Sequence, residues 1–567
     1  MRFARGVRTR GRTRARAMRD AALARLLSLP LGHADYRLTR DIGVPMRDGV
    51  ELLTDVYQPV GRSRGTLLLR TPYGRTGPIA DLTAGVYAAH GFLVVNQSCR
   101  GTSGSGGRFE PFAHERDDGA DTVAWLRGQP WFTGRFAVVG PSYLGFAAWA
   151  IMVDPPPELA TAVIAITAHD NHWVAHGSGA FSLEQMLSLL DSFGHQGRGM
   201  LGASLHTAIS APALRRTLDE LPLIRAQETL LAGTGMPYAE WLTATDPDDP
   251  VWRTTQFGAA LDRIDVPVLL QGGWQDRFTE QQFEEYARLS ERGFPVALTV
   301  GDWTHVDAAS KGLGLLTREA LDWLDAHLGE WRPRATVPTR HPVRVQITGQ
   351  QGRTPQSTKG QATHWRSLPS WPPETTARVL YLHSNGALAE APETDTGTSG
   401  FSYDPADPTP SVGGRVVTPA RAGRRDNRAL EARPDVLIFT SAALTEPMEV
   451  LGRPVVELSH NTDNPHADLF VRLCEVTPDG RSTNLSDGFL RLPPDEANGL
   501  VRIELETLAH CFAAGTRLRL QVSGGAHPRF ARNLGTGEDP ATGTAMAPSH
   551  RSIGHGPDGS RLVLPCG

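Results

Sequence analysis

The sequence predicts an α/β fold: a parallel sheet covered by helices, interrupted by a helical insertion and followed by a separate all-β region. Three observations carry that prediction. From about residue 45 to 145 short β-branched runs alternate with helical patterns, as they do in a parallel sheet with crossover helices. The same alternation resumes after residue 260, beyond a stretch of helical periodicity. From about residue 338 short alternating runs are separated by Gly, Pro, Asp and Asn, the grammar of a sandwich or jelly roll.

The chain of 567 residues has room for several domains. Its 40% hydrophobic content, with 12 Trp and 19 Phe, excludes disorder throughout. The first 25 residues hold nine Arg against one Asp, and Arg25 interrupts the apolar run at 21–29, so no secretory signal is expected there. We expect a solvated leader over 1–35. Lys+Arg 57 against Asp+Glu 61 leaves no broad field that would select nucleic acid or a membrane surface. No apolar run approaches the ~18 residues of a membrane span.

Strands are expected at 65–70, 91–97 and 135–140, with a crossover helix at 115–128 behind an acidic first turn. After the insertion come strand 266–272, helix 279–292 and strand 294–301. The insertion itself, about 168–258, carries helical stripes such as Leu183, Met186, Leu187 and Leu190. If it leaves the sheet at the carboxyl ends of the strands, where ligands bind in open parallel sheets, it is a lid. Runs at 343–347, 379–382, 455–459, 467–473, 502–506 and 517–522 mark the β region. The expected divisions are 36–167 and 259–337 for the two parts of the core, 168–258 for the cap and 338–567 for the β domain.

The strand at 135–140 runs into Gly140-Pro141-Ser142-Tyr143-Leu144-Gly145 and then a helical stretch. A serine on a sharp strand-to-helix turn is held clear of the sheet, a nucleophile elbow. The pattern G-x-S-x-G is not met, because Leu144 takes the second glycine position. A serine hydroxyl needs a base to take its proton and a carboxylate to orient that base. Strand 266–272 opens toward Asp276, and strand 294–301 opens toward His305. Both follow the serine in the order acid, then His, each after a later strand. Asp302 and Asp307 are rival acids, and His114 is a rival base that precedes the nucleophile. The oxyanion formed on attack needs preorganised donors: the backbone N–H of Tyr143, and the hydroxyl of Tyr73 after strand 65–70.

Thr71-Pro72-Tyr73, Gln97 through Gly107 with Arg100-Gly101, Gln129-Pro130-Trp131, Gly140-x-Ser142-Tyr143-x-Gly145, Gly273-Trp274-x-Asp276 and Trp303-x-His305 together resemble the cocaine esterase family. That family is grouped with X-Pro dipeptidyl peptidases and α-amino-acid ester hydrolases. The resemblance covers about residues 40–567. It implies an α/β-hydrolase core, an inserted helical cap and a C-terminal jelly roll, with catalytic Ser142, Asp276 and His305, oxyanion donor Tyr73, and Trp173 and Phe278 as walls of the acyl pocket. The family's Q-D-x-R-G reads Gln97-Ser98-Cys99-Arg100-Gly101 here, so an acidic residue is missing. No carboxylate lies between Trp173 and Gly179, where the amino-ester branch holds a substrate ammonium.

The expected function is a serine hydrolase that cleaves carboxylic esters, or activated amides, through an acyl-enzyme, acting on a small-molecule ester. An X-Pro dipeptidyl peptidase or α-amino-acid ester hydrolase is the alternative, and a binding protein with an idle core is the non-enzyme rival. No cofactor is expected. No metal is expected either, since no H-E-x-x-H occurs and the acidic run at 246–249 lacks the pattern of a calcium loop. Cysteines 99, 474, 511 and 566 show no C-x-x-C spacing, which fits a reducing cytoplasm. A homo-oligomer is left open.

Overall fold

The computed structural model describes residues 8–11, 21–22, 24–195, 199–328, 342–349 and 364–567. Its central sheet contains β1 (Arg8–Gly11), β2 (Tyr36–Pro45), β3 (Glu51–Pro59), β4 (Thr66–Thr71), β5 (Leu93–Ser98), β6 (Phe136–Pro141), β7 (Leu159–Ala165), β8 (Val268–Gln275), β9 (Val296–Thr304), β10 (Val343–Gly349) and β11 (His364–Leu368). Pairing gives the order β1-β2-β3-β5-β4-β6-β7-β8-β9-β10-β11. The seven strands from β5 to β10 are parallel, and antiparallel strands flank them.

Alternation along each strand divides the side chains between two cores. Leu68, Val95 and Val138 face one side, where Val123, Leu126, Phe146, Trp149 and Leu289 cover them. Leu67, Leu69, Val94, Ala137 and Val139 face the other, under Ala84, Ala88, Leu321 and Leu324. Both faces are therefore buried, which is why these strands read as continuous apolar runs. β4 pairs with β5 on one side and β6 on the other. The crossovers diverge there, so a crevice opens at the carboxyl ends of β4 and β6.

The residues between β7 and β8 are mainly helical, including Asn171–His176, Leu183–Gly194, Gly199–Asp219 and Tyr238–Thr243. The two flanking strands are direct neighbours, so this insertion leaves the sheet at the carboxyl end of β7, on the crevice side. The remaining strands form an all-β domain around a core that includes Leu458, Val471, Leu473, Leu520, Val522 and Leu562. No helix among the described residues is long and apolar enough to cross a membrane.

Two expectations are corrected. Strand 343–347, assigned by its alternating pattern to the β domain alone, lies in the central sheet between β9 and β11, while its continuation at 348–349 pairs with the β domain. Partner choice is a long-range matter that local pattern does not encode. The leader is not a detached arm where it is described, since β1 pairs with β2 and Ala24 and Leu29 pack on Leu82 and Val86. Residues 1–7, 12–20 and 23 lie outside the described residues.

Candidate active site

Ser142 stands between β6 and the helix Tyr143–Met152 with φ 54° and ψ −127°, a backbone conformation that few residues other than glycine adopt. The turn is held by Ser142 N–H donating to Ala165 O at 2.9 Å and by Gly145 N–H donating to Ser142 O at 2.8 Å. Both glycines are sterically required. A Cβ on Gly140 would meet Leu144 backbone atoms at 2.3 Å, and one on Gly145 would meet Thr167 Cγ2 at 2.3 Å. The departure from G-x-S-x-G thus has a cause in packing. Here the helix presses on Thr167, beyond β7, at position 145, while Leu144 packs toward the opposite core.

Three loops at the carboxyl end of the sheet bring their side chains together. His305, immediately after β9, has Nε2 3.1 Å from Ser142 Oγ and Nδ1 2.8 Å from Asp276 Oδ1. Asp276, just after β8, is fully buried. Its carboxylate accepts from Nδ1–H, which leaves Nε2 as the acceptor facing the serine. The rival groups are engaged elsewhere: Asp307 with Lys311, Asp302 with Arg424, and His114 with Glu110 on the surface.

Tyr73, in the loop after β4, has its hydroxyl 3.2 Å from Ser142 Oγ. The residue is 40% exposed, but its hydroxyl lies in the site. Desolvation there raises the phenol pKa, against the lowering effect of Ser142 and of the Tyr143 backbone N–H. A phenol that stays protonated is a donor, and the Tyr143 N–H converges on the same small volume. The Tyr143 side chain points away. Its hydroxyl donates to Glu115 Oε1 at 2.8 Å and accepts from Phe112 N–H at 2.9 Å.

In the sequence Glu115 belongs to an acidic first turn and to the stretch Glu115-x-x-Asp118-Gly119-x-Asp121-Thr122, which resembles the cocaine esterase family, and neither gives it a role. In the fold it is buried, and Arg70 holds it at 2.6 Å. It therefore braces the side chain whose backbone N–H faces the site. At the position of the missing acid, the Ser98 hydroxyl accepts from Arg75 at 3.1 Å, while Asp55 and Asp41 supply the guanidinium with countercharge. Cys99 is buried, and burial followed by the nearby Glu115 pushes its thiol pKa well up.

Phe278 packs edge-on to His305 with ring centroids 5.5 Å apart. Trp173 is placed differently. Asp170 caps its backbone N–H at 3.1 Å, and its ring lies 5.0 Å from the Arg277 guanidinium. It lines a cavity of about 510 Å³ where core, insertion and β domain meet, among residues such as Arg277, Glu280, Arg415 and Arg529, with neither Ser142 nor His305 on that wall.

A buried carboxylate, an imidazole and a serine in relay on a strand-to-helix elbow define a serine hydrolase of the α/β-hydrolase class. Residues 48–307 match the X-Pro dipeptidyl-peptidase (S15 family), and residues 337–562 match the X-Pro dipeptidyl-peptidase C-terminal non-catalytic domain. The chain belongs to the cocaine esterase-like serine hydrolases, the family related to those peptidases. It is 27% identical to the cocaine esterase of Rhodococcus sp. (strain MB1 Bresler) over 89% of this chain and 93% of that protein. Two solved structures share the fold. An α-amino acid ester hydrolase superposes with a TM-score of 0.75 at 22% identity, covering 94% of this chain and 97% of that one. An aminopeptidase from the marine sediment archaeon Thaumarchaeota archaeon superposes with a TM-score of 0.73 at 21% identity, covering 94% and 96%.

Proposed function

We propose that this protein hydrolyses carboxylic esters of small molecules through an acyl-enzyme. One observation carries the reading: Ser142 Oγ lies within hydrogen-bond reach of both His305 Nε2 and the Tyr73 hydroxyl. Ser142 attacks the ester carbonyl as its proton passes to Nε2. The resulting imidazolium is stabilised by Asp276. Negative charge on the carbonyl oxygen is met by Tyr73 O–H and Tyr143 N–H. His305 then protonates the departing alcohol, and water, deprotonated by the same nitrogen, releases the acid. Phe278 supplies an apolar wall beside the imidazole.

The alternatives, release of X-Pro dipeptides and hydrolysis of α-amino-acid esters, both take a substrate with a free ammonium, for which a carboxylate is the natural partner. The nearest acid before Trp173 is Asp170, and its Oδ1 accepts the Trp173 N–H. With no acid between Trp173 and Gly179, this supports esters that lack a free ammonium. Four free cysteines, three of them buried, support a reducing, cytoplasmic location. A fluorophosphonate probe should label the wild type and leave Ser142→Ala unlabelled. Acyl p-nitrophenyl esters should turn over faster than a dipeptidyl-Pro anilide, and the reverse order would establish the peptidase reading instead.

A further inference from the structure

We propose that the C-terminal β domain holds the catalytic acid and base in register through Arg415 and Arg424, which act as positioning residues. The inference rests on the assignment of Asp276 and His305 above.

The loops that bear these groups end two neighbouring strands, and neither is covered by the core alone. Trp274 lies two residues before Asp276, and its carbonyl accepts Arg415 Nε at 2.9 Å. Arg415 is buried, donates to the Thr507 carbonyl and pairs with Glu280 at 2.6 Å. Glu280, four residues after Asp276, also accepts Thr507 N–H at 2.7 Å and the Thr507 hydroxyl at 2.9 Å. Burial alone would raise the Glu280 carboxyl, but Arg415 and Arg453 hold it below its ordinary value. The acid loop is thus gripped on both sides of Asp276 by groups from residues 415, 453 and 507.

The base loop is gripped from the same place. Arg424 pairs with Asp302, three residues before His305. The two arginines are yoked by a reciprocal backbone bridge, with Gly414 N–H donating to Gly423 O at 2.8 Å and Gly423 N–H donating to Gly414 O at 2.9 Å. Gln346 of β10 adds a second tie between the loops, accepting Trp274 Nε1–H on its carbonyl at 2.7 Å and Asp302 N–H on Oε1 at 2.9 Å. One rigid bracket therefore touches both loops while contacting neither Asp276 nor His305 through the bonds described. Its effect is to hold the 2.8 Å spacing between His305 and Asp276 just where the β8–β9 ladder ends at Gln275 and Thr304. A displacement of about 1 Å in such a relay costs on the order of 100-fold in rate.

The test compares full-length Arg415→Met, Arg424→Met and Arg366→Met. Arg366 of β11 also pairs with a β-domain carboxylate, Glu449, at 2.7 Å, but in the hydrogen bonds described it does not tie the loops at 274–276 and 302–305. Expected for both bracket variants is a ten- to hundredfold loss of kcat with KM within about twofold. Fluorophosphonate labelling should slow in parallel, and the downfield proton resonance of the His305–Asp276 bond should weaken. Arg366→Met should retain all three readouts. Arg424→Met removes a pair that is partly open to solvent, so it tests the idea even if Arg415→Met fails to fold. Folded bracket variants with wild-type labelling rates and an unchanged resonance would overturn the proposal, as would losses matched by Arg366→Met. A wild type that resists labelling would overturn the functional reading first.

Discussion

Asp276 Oδ1 accepts the His305 Nδ1 proton at 2.8 Å, while Asp276 Oδ2 is buried with no hydrogen-bond partner among the described residues. An asparagine there must place an amide group either toward His305 or into that unserved position. The first choice satisfies the amide but forces the imidazole into the tautomer that carries its proton on Nε2, where it cannot accept from the serine. Asp276→Asn should therefore lower kcat by about 10⁴-fold with the fold intact, as read from kinetics beside a melting curve. A loss below about tenfold would remove Asp276 from the relay.

The positive φ of Ser142 predicts a division between activity and stability. Such a conformation costs an L-residue about 1–3 kcal/mol, and glycine escapes most of it. Both Ser142→Gly and Ser142→Ala should be inactive, with the glycine variant more stable in urea than the alanine variant by about 1 kcal/mol. Equal stabilities would show that the elbow is unstrained.

Removal of the Tyr73 hydroxyl should act on the transition state alone. Tyr73→Phe is expected to lose on the order of 10²- to 10³-fold in kcat with KM and melting temperature little changed, because the ring is substantially exposed. A purely KM-borne effect would assign Tyr73 to substrate binding.

A buried histidine beside the cap predicts alkaline sensitivity. Burial works against charge on His169, but hydrogen bonds with Glu284 and Glu285 outweigh it and push the ring pKa up from 6.5 to about 9. The folded ring holds its proton more tightly than the unfolded one. Its contribution is complete below about pH 6.5 and lost as pH rises through about 9. Because burial lifts the Glu285 carboxyl to about 7 even with His169 beside it, the clean comparison is the double variant His169→Gln/Glu285→Gln. Chemical denaturation between pH 6 and 10 should show the decline in the wild type and a flatter profile in the double variant, a difference that vanishes if the ring is neutral throughout.

What the sequence revealed, and what it hid, follows from the range of the interactions concerned. Ser142, Asp276 and His305 are each announced locally, by a β-branched run that ends in a turn. Parallel strands then carry all three turns to one edge. The Ala-rich β7 carries no alternating signal in the sequence, because both of its faces are buried. The location of β10 and the stacking of Trp173 on Arg277 were equally hidden, since each depends on partners far away in the chain. The acidic stretch that holds Glu115 is visible in the sequence, but its bond to Tyr143 joins distant segments, and only the fold reveals the brace.

β10 belongs to two sheets. Residues 343–345 pair with β9 and residues 348–349 with residues 510–511 of the β domain. A strand split in this way is a weld where a flexible tether would have been a joint. Heating should give a single calorimetric endotherm for both halves, and exchange of β domains between homologues would succeed only with crossover points placed to leave this strand whole.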